Sequence, residues 1–201
     1  MIHWSLSLTV APTARPLPVD RVLSHCRISL DQPGCDATAV NGWIDSATEQ
    51  AELHTGRQLI TATYEMRLDR FPCGFIAVPK PPLRSVTHIK YYAPGSAVLT
   101  TWASSNYIVD APSGPKAQNG RIVLAPNASY PDTEDRPGAV IVTFEAGYGA
   151  SDTNVPESIK AGMLLRIGSR NESREDAPSD REGQASSRLW AGFVTYMPEM
   201  R

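Results

Sequence analysis

The hydrophobic period of this chain changes twice, and that switch restricts the fold more than any other feature. Ala37, Val40, Ile44, Ala47 and Ala51 follow one another at spacings of 3, 4, 3 and 4. That is the repeat of one face of an α-helix. Shortly afterwards Ile60, Ala62, Tyr64, Met66 and Leu68 alternate with Thr61, Thr63, Glu65, Arg67 and Asp69, the repeat of a strand with one wet face. Beyond Gly149 the helical repeat returns in Ile159, Met163, Leu164 and Ile167. A segment patterned for one structure cannot bury its apolar side in the other. The sequence therefore predicts an α+β fold: a helical module, residues 1–58 and 150–201, with an inserted, mostly antiparallel β subdomain over residues 59–149.

Local signals set the expected boundaries. Leu6 to Val10 is a short strand candidate that stops at Pro12. Pro18 suits the first turn of a helix running from Val19 to about Ile28, because its missing N–H would be unpaired there. Asp31-Gln32-Pro33-Gly34 is a turn signal. Asp36 is placed to cap the long helix, and Gly56 to close it in the left-handed conformation. Phe75–Val78, Ser85–Tyr92, Tyr107–Val109, Arg121–Leu124 and Ala139–Ala146 are further strand candidates between turn-rich stretches. Pro156 with Glu157 beside it suits the start of the returning helix. Nine charged residues fall between Gly168 and Arg188, where Ala177 and Ala185 are the sole apolar side chains. Such a stretch is expected to be a mobile loop.

Composition narrows the function classes. Lys plus Arg number 19 and Asp plus Glu 21, for a net charge of −2. That argues against general nucleic-acid binding, which draws on a basic excess. Three cysteines, Cys26, Cys35 and Cys73, do not suggest a disulfide scaffold and point to a reducing compartment. The first residues lack the basic and long apolar regions of a signal peptide. No apolar run reaches membrane-spanning length.

No catalytic, cofactor-binding or metal constellation stands out. The G-x-S-x-G elbow is absent. Gly147-Tyr148-Gly149 lacks the lysine and third glycine of a phosphate loop and reads as a strand-ending turn. His25, Cys26, Cys35 and His54 do not fall at zinc-ligand spacings. Cys26 reads instead as a small core residue and His54 as a polar residue at a helix end. Asp45, Glu49 and Glu52 lie opposite the apolar stripe, as a solvated face or as a surface for a basic partner. Arg84, His88, Lys90, Tyr91 and Tyr92 form a faint basic–aromatic pattern. Two other readings follow: a β-type module binding a ligand or nucleic acid, and an enzyme with an unrecognised Cys/His site.

The most unusual segment comes last. Leu189, Trp190, Phe193, Tyr196, Met197 and Met200 make the chain apolar again after the charged stretch. Aromatics and methionine are enriched at interface cores. The segment either packs back on its own domain or docks into another subunit. The expected helical core is Ala37, Val40, Ile44, Ala47, Ala51, Ile159, Met163 and Ile167.

An ordered series of short motifs resembles tailed-phage head–tail connector proteins and the related adaptors of gene transfer agents. It includes Leu8-Thr9-Val10-Ala11-Pro12, Thr55-Gly56-Arg57-Gln58-Leu59-Ile60 and Tyr64-Glu65-Met66-Arg67-Leu68-Asp69-Arg70-Phe71-Pro72. It continues through Val78-Pro79-Lys80-Pro81-Pro82-Leu83-Arg84-Ser85-Val86, Tyr107-Ile108-Val109-Asp110 and Gly120-Arg121-Ile122-Val123-Leu124. It closes with Arg136-Pro137-Gly138-Ala139-Val140, Phe144-Glu145-Ala146-Gly147-Tyr148-Gly149 and Val155-Pro156-Glu157-Ser158-Ile159-Lys160-Ala161. The resemblance implies a non-catalytic structural virion protein without cofactors. Twelve copies would form an adaptor ring beneath the portal. The ring would sit at the neck, be assembled in the host cytoplasm, meet a tail-side protein below, and let DNA pass without specific binding. It further implies that Leu189, Trp190, Phe193, Tyr196 and Met197 dock into the portal.

Overall fold

The computed structural model describes residues 2–31, 36–172, 180–198 and 200. The Gln32-Pro33-Gly34 part of the expected turn and Cys35 lie outside them. The chain divides into two compact units: Met1–Ala11 with Thr61–Gly147 and Thr195–Arg201, and Pro12–Ile60 with Tyr148–Val194.

The first unit is built of strands β1 (Trp4–Val10), β2 (Ala62–Leu68), β3 (Ile76–Val78), β4 (Leu83–Tyr92), β5 (Leu99–Trp102), β6 (Tyr107–Asp110), β7 (Gly120–Leu124) and β8 (Val140–Ala146). A five-stranded sheet has the order β1-β2-β8-β4-β5, and a three-stranded sheet the order β3-β7-β6. Every pairing between these strands is antiparallel. The period-2 pattern of β2 is realised as buried Ala62, Tyr64, Met66 and Leu68. They join Val140, Val142 and Phe144 of β8 and Ile76 and Ile122 of the smaller sheet in one core. Phe71, Tyr91, Trp102, Tyr107 and Tyr130 stack against one another at its edge.

This unit departs from the expected boundaries at both ends of the chain. Trp4–Val10 is not part of the helical module. It is an edge strand with Leu6 opposite Met66 and Leu8 opposite Tyr64. Met200 is buried in the same core, and its carbonyl accepts from the N–H of Ile2 at 3.3 Å. The reason is long-range pairing: β1 supplies the ladder that β2 would otherwise leave open. Strand β5 was not expected; its Leu99-Thr100-Thr101-Trp102 run is too short to show a clear alternation.

The second unit contains α1 (Val19–Cys26), α2 (Ala37–Thr55), α3 (Glu157–Glu172) and α4 (Asp180–Trp190). The Asp36 carboxylate accepts from the N–H of Ala39 at 2.7 Å and caps α2. At the other end Gly56, at φ 70°, donates its N–H to Glu52 O. Glu52 Oε1 also accepts from Gln58 Nε2 at 2.8 Å and Leu59 N at 3.0 Å, fastening the exit of the helix. Val40, Ile44, Ala47 and Ala51 pack in one cluster with Ile159, Met163 and Ile167 of α3. Ala37 is exposed, because the first turn of α2 projects beyond this cluster.

The charged stretch is corrected more strongly. Helix α3 continues to Glu172, and Asp180 to Trp190 forms α4. The described parts of the expected loop, residues 168–172 and 180–188, are helical, and residues 173–179 lie outside the described residues. A helix needs few apolar side chains when one face alone is buried. Over residues 184–190, where burial is described, Ser186 and Trp190 supply that face, and Ser186 is polar, which hid the pattern.

Candidate functional site

The candidate site is the seat of the chain's last apolar segment. In the second unit Trp190 is fully buried. Its Nε1–H donates to Ile159 O at 3.1 Å, satisfying the one polar atom of the indole. The ring lies against Gly162, where a Cβ would come within 2.3 Å of Nε1. His54 packs against the same indole with ring centroids 5.6 Å apart, and the Arg166 guanidinium sits 5.3 Å from its centroid. Arg166 Nε also donates to Ser186 Oγ at 2.8 Å, so one cation holds two positions of α4.

Phe193 is buried three residues further on. Its carbonyl accepts from Arg57 Nε at 2.6 Å, and the Arg57 guanidinium lies 6.0 Å from its ring. Arg57 is itself fully buried, and its Nη1 has no hydrogen-bond partner among the described residues. Desolvation pushes the guanidinium pKa down, while the neighbouring Tyr148 raises it. Burial pushes the Tyr148 phenol up, and Arg57 opposes that shift through charge and a hydrogen bond. The Gly147-Tyr148-Gly149 turn thus ends a strand and delivers a phenol to a buried cation. The sequence carried no local sign of this, because Arg57 follows a helix by two residues and reads as an ordinary exit charge.

In the first unit Tyr196 is 84% exposed, while its carbonyl accepts from Asn119 Nδ2 at 2.7 Å. Met197 is half-buried against the β core. The five expected docking residues therefore differ in availability. Trp190 and Phe193 are buried in the helical core. Leu189 and Tyr196 are exposed.

The other candidates are placed as follows. No group of three His, Cys, Asp or Glu side chains fit to hold a metal occurs among the described residues. Cys26 is half-buried at the edge of the helical core and Cys73 is exposed. Asp45 is bound through both oxygens by Arg15, at 2.6 and 2.9 Å. His88 Nε2 lies 3.2 Å from Thr143 Oγ1, and Tyr92 stacks under Arg136 at 4.0 Å; both are engaged within their own unit. Glu157 receives Arg21 at 2.6 Å and Lys160 at 2.5 Å. Hydrogen bonds from Arg21 first, then Lys160, hold its carboxyl at about 2. Among the described residues no helix is long and apolar enough to cross a membrane.

No protein-family model matches the chain, and no curated protein matches it. Solved structures do. A chain in the neck of an empty GTA particle computed with C6 symmetry is 21% identical, with a TM-score of 0.78 and 97% of each chain covered. A chain in the virion of a native gene transfer agent (GTA) particle is 21% identical, with a TM-score of 0.74, over 96% of this chain and 97% of that one. A chain in the neck of a native GTA particle computed with C12 symmetry is also 21% identical, with a TM-score of 0.72 and 97% of each chain covered. The α+β fold of this protein, end to end, is the fold of a chain found in the gene transfer agent neck.

Proposed function

We propose that this protein is a structural component of a virion neck, one copy of a ring that adapts a portal to a tail. The supporting observation is the match in fold over 97% of both chains to proteins of GTA necks. Those necks were computed with C6 and C12 symmetry, which suits a ring of twelve copies. The ring would extend the DNA channel, with the portal on one side and a tail protein on the other, and would be assembled in the host cytoplasm. Its task would be geometric rather than catalytic.

The portal contact would fall on fewer residues than the five named from the sequence. Tyr196, the most exposed of the five at 84%, would make the portal contact with the half-buried Met197 beside it, whereas Trp190 and Phe193 are buried in the helical core. A near-neutral chain, net charge −2, would let DNA slide without retaining it.

Imaging of the particle that contains this chain tests the reading. The expected result is density for it at the head–tail junction, in a ring; density in the tail shaft or capsid shell overturns it. Purified protein should also show little duplex binding at physiological salt, and salt-resistant binding would contradict a channel role.

A further inference from the structure

The outward face of α2 is unusual for a surface that meets only water. Gly42, Glu49 and Leu53 are exposed, and Leu53 is 82% exposed. At 100° per residue Gly42 and Leu53 lie about 20° apart, with Glu49 between them along the helix. Val40, Ile44, Ala47 and Ala51 occupy the opposite side and are buried. A Cβ on Gly42 would meet no atom within 4 Å. A mid-helix glycine weakens a helix relative to alanine, and no close approach among the described residues accounts for it here. A second helix backbone packed on this face would.

Helix α4 carries a matching surface. Ser186 and Trp190 face the core, which leaves Ala185, Arg188 and Leu189 exposed on the outer side. Their order is small, basic, apolar; on α2 it is small, acidic, apolar. The two faces complement each other in charge and in size.

We infer that the outward face of α2 in one copy receives the outward face of α4 from a second copy of this chain, with Leu189 against Leu53 and Arg188 at Glu49. The two surfaces differ, so the contact is head-to-tail, the type that closes into a ring. This inference rests on the ring reading above and names the surface that builds it.

Sedimentation of the full chain up to ~1 mM, where a contact with Kd of ~1 mM is half-formed, tests it. The wild-type protein should self-associate. Glu49→Arg and Arg188→Glu should each weaken association about tenfold, and the double swap should restore it, because the pair of opposite charges is re-formed. Leu53→Asp should abolish association, and thermal melts of all variants should match the wild type, since these positions are exposed. Association that the swaps leave unchanged overturns this surface while the ring reading stands. A wild-type chain monomeric throughout overturns self-docking on α2. The neck reading is then decided separately, by the particle image.

Discussion

The indole of Trp190 occupies the space that any side chain at position 162 would need: a Cβ on Gly162 would lie 2.3 Å from Trp190 Nε1. Helix α3 gives up a side chain in its middle so that the largest residue of α4 can close the helical core. Gly162→Ala should therefore destabilise the protein, although alanine is the better helix former. Propensity favours the variant by about 1 kcal/mol, while overpacking costs about 1–3 kcal/mol. A net loss of up to about 2 kcal/mol is expected in urea denaturation; a gain would show that the indole moves aside freely.

Removal of the last segment should act on the fold before it acts on assembly. Deleting residues 189–201 takes Trp190 and Phe193 from one core and Met200 from the other. Truncating Trp190 alone, as Trp190→Ala, should cost about 3–5 kcal/mol. The deleted chain should aggregate or melt well below the wild type. A soluble, normally melting truncation would mean that the segment is a free arm after all.

The Arg57–Tyr148 pair gives a spectroscopic check. Burial raises the Tyr148 pKa and Arg57 pulls it back. In Arg57→Met the phenol should titrate higher than in the wild type, read from ultraviolet difference spectra. Tyr148→Phe should leave the buried guanidinium short of a partner and cost about 1–3 kcal/mol. Unchanged titration in Arg57→Met would show that the two groups do not interact in solution.

Acid should loosen the start of α3. Glu157 titrates at about 2 in the folded protein against an ordinary 4.5. The unfolded chain thus takes up its proton first as pH falls. The stabilisation is present above pH 4.5 and is lost as pH drops towards 2. The carboxylate is largely exposed, so solvent screening reduces its worth to below about 1 kcal/mol. Glu157→Gln should flatten this part of the stability–pH profile, and high salt should do the same to the wild type. An unaltered profile in Glu157→Gln would place the acid sensitivity elsewhere.

Elements whose partners are close in sequence, or whose face is wholly apolar, were readable without a structure. Helix α2 shows its stripe, its Asp36 cap and its Gly56 exit in one continuous run. β2 shows its alternation. What escaped depends on distant residues. Trp4–Val10 looks like a stray strand until Thr63–Leu68 is set beside it. α4 looks like a polar loop because its buried face is a serine and a tryptophan, one bonded to Arg166 and the other seated on Gly162. Arg57 has no periodic neighbour to mark it as buried; its burial follows from Phe193, which lies 136 positions away. The same distance explains why the burial of Trp190 and Phe193 could not be read from the sequence.

The two units are threaded so that the chain passes from one to the other after Ala11, Ile60, Gly147 and Val194. During translation this imposes an order of waiting. At 5–20 residues per second, β1 leaves the ribosome roughly 3–10 s before β2 can pair with it. Its sequence, Trp-Ser-Leu-Ser-Leu-Thr-Val, carries no charge to keep it from other open strands in that interval. The β core then stays unfinished until Met200 has been made. Nascent chains of this protein are therefore expected to depend on ribosome-associated chaperones for almost the whole of their synthesis.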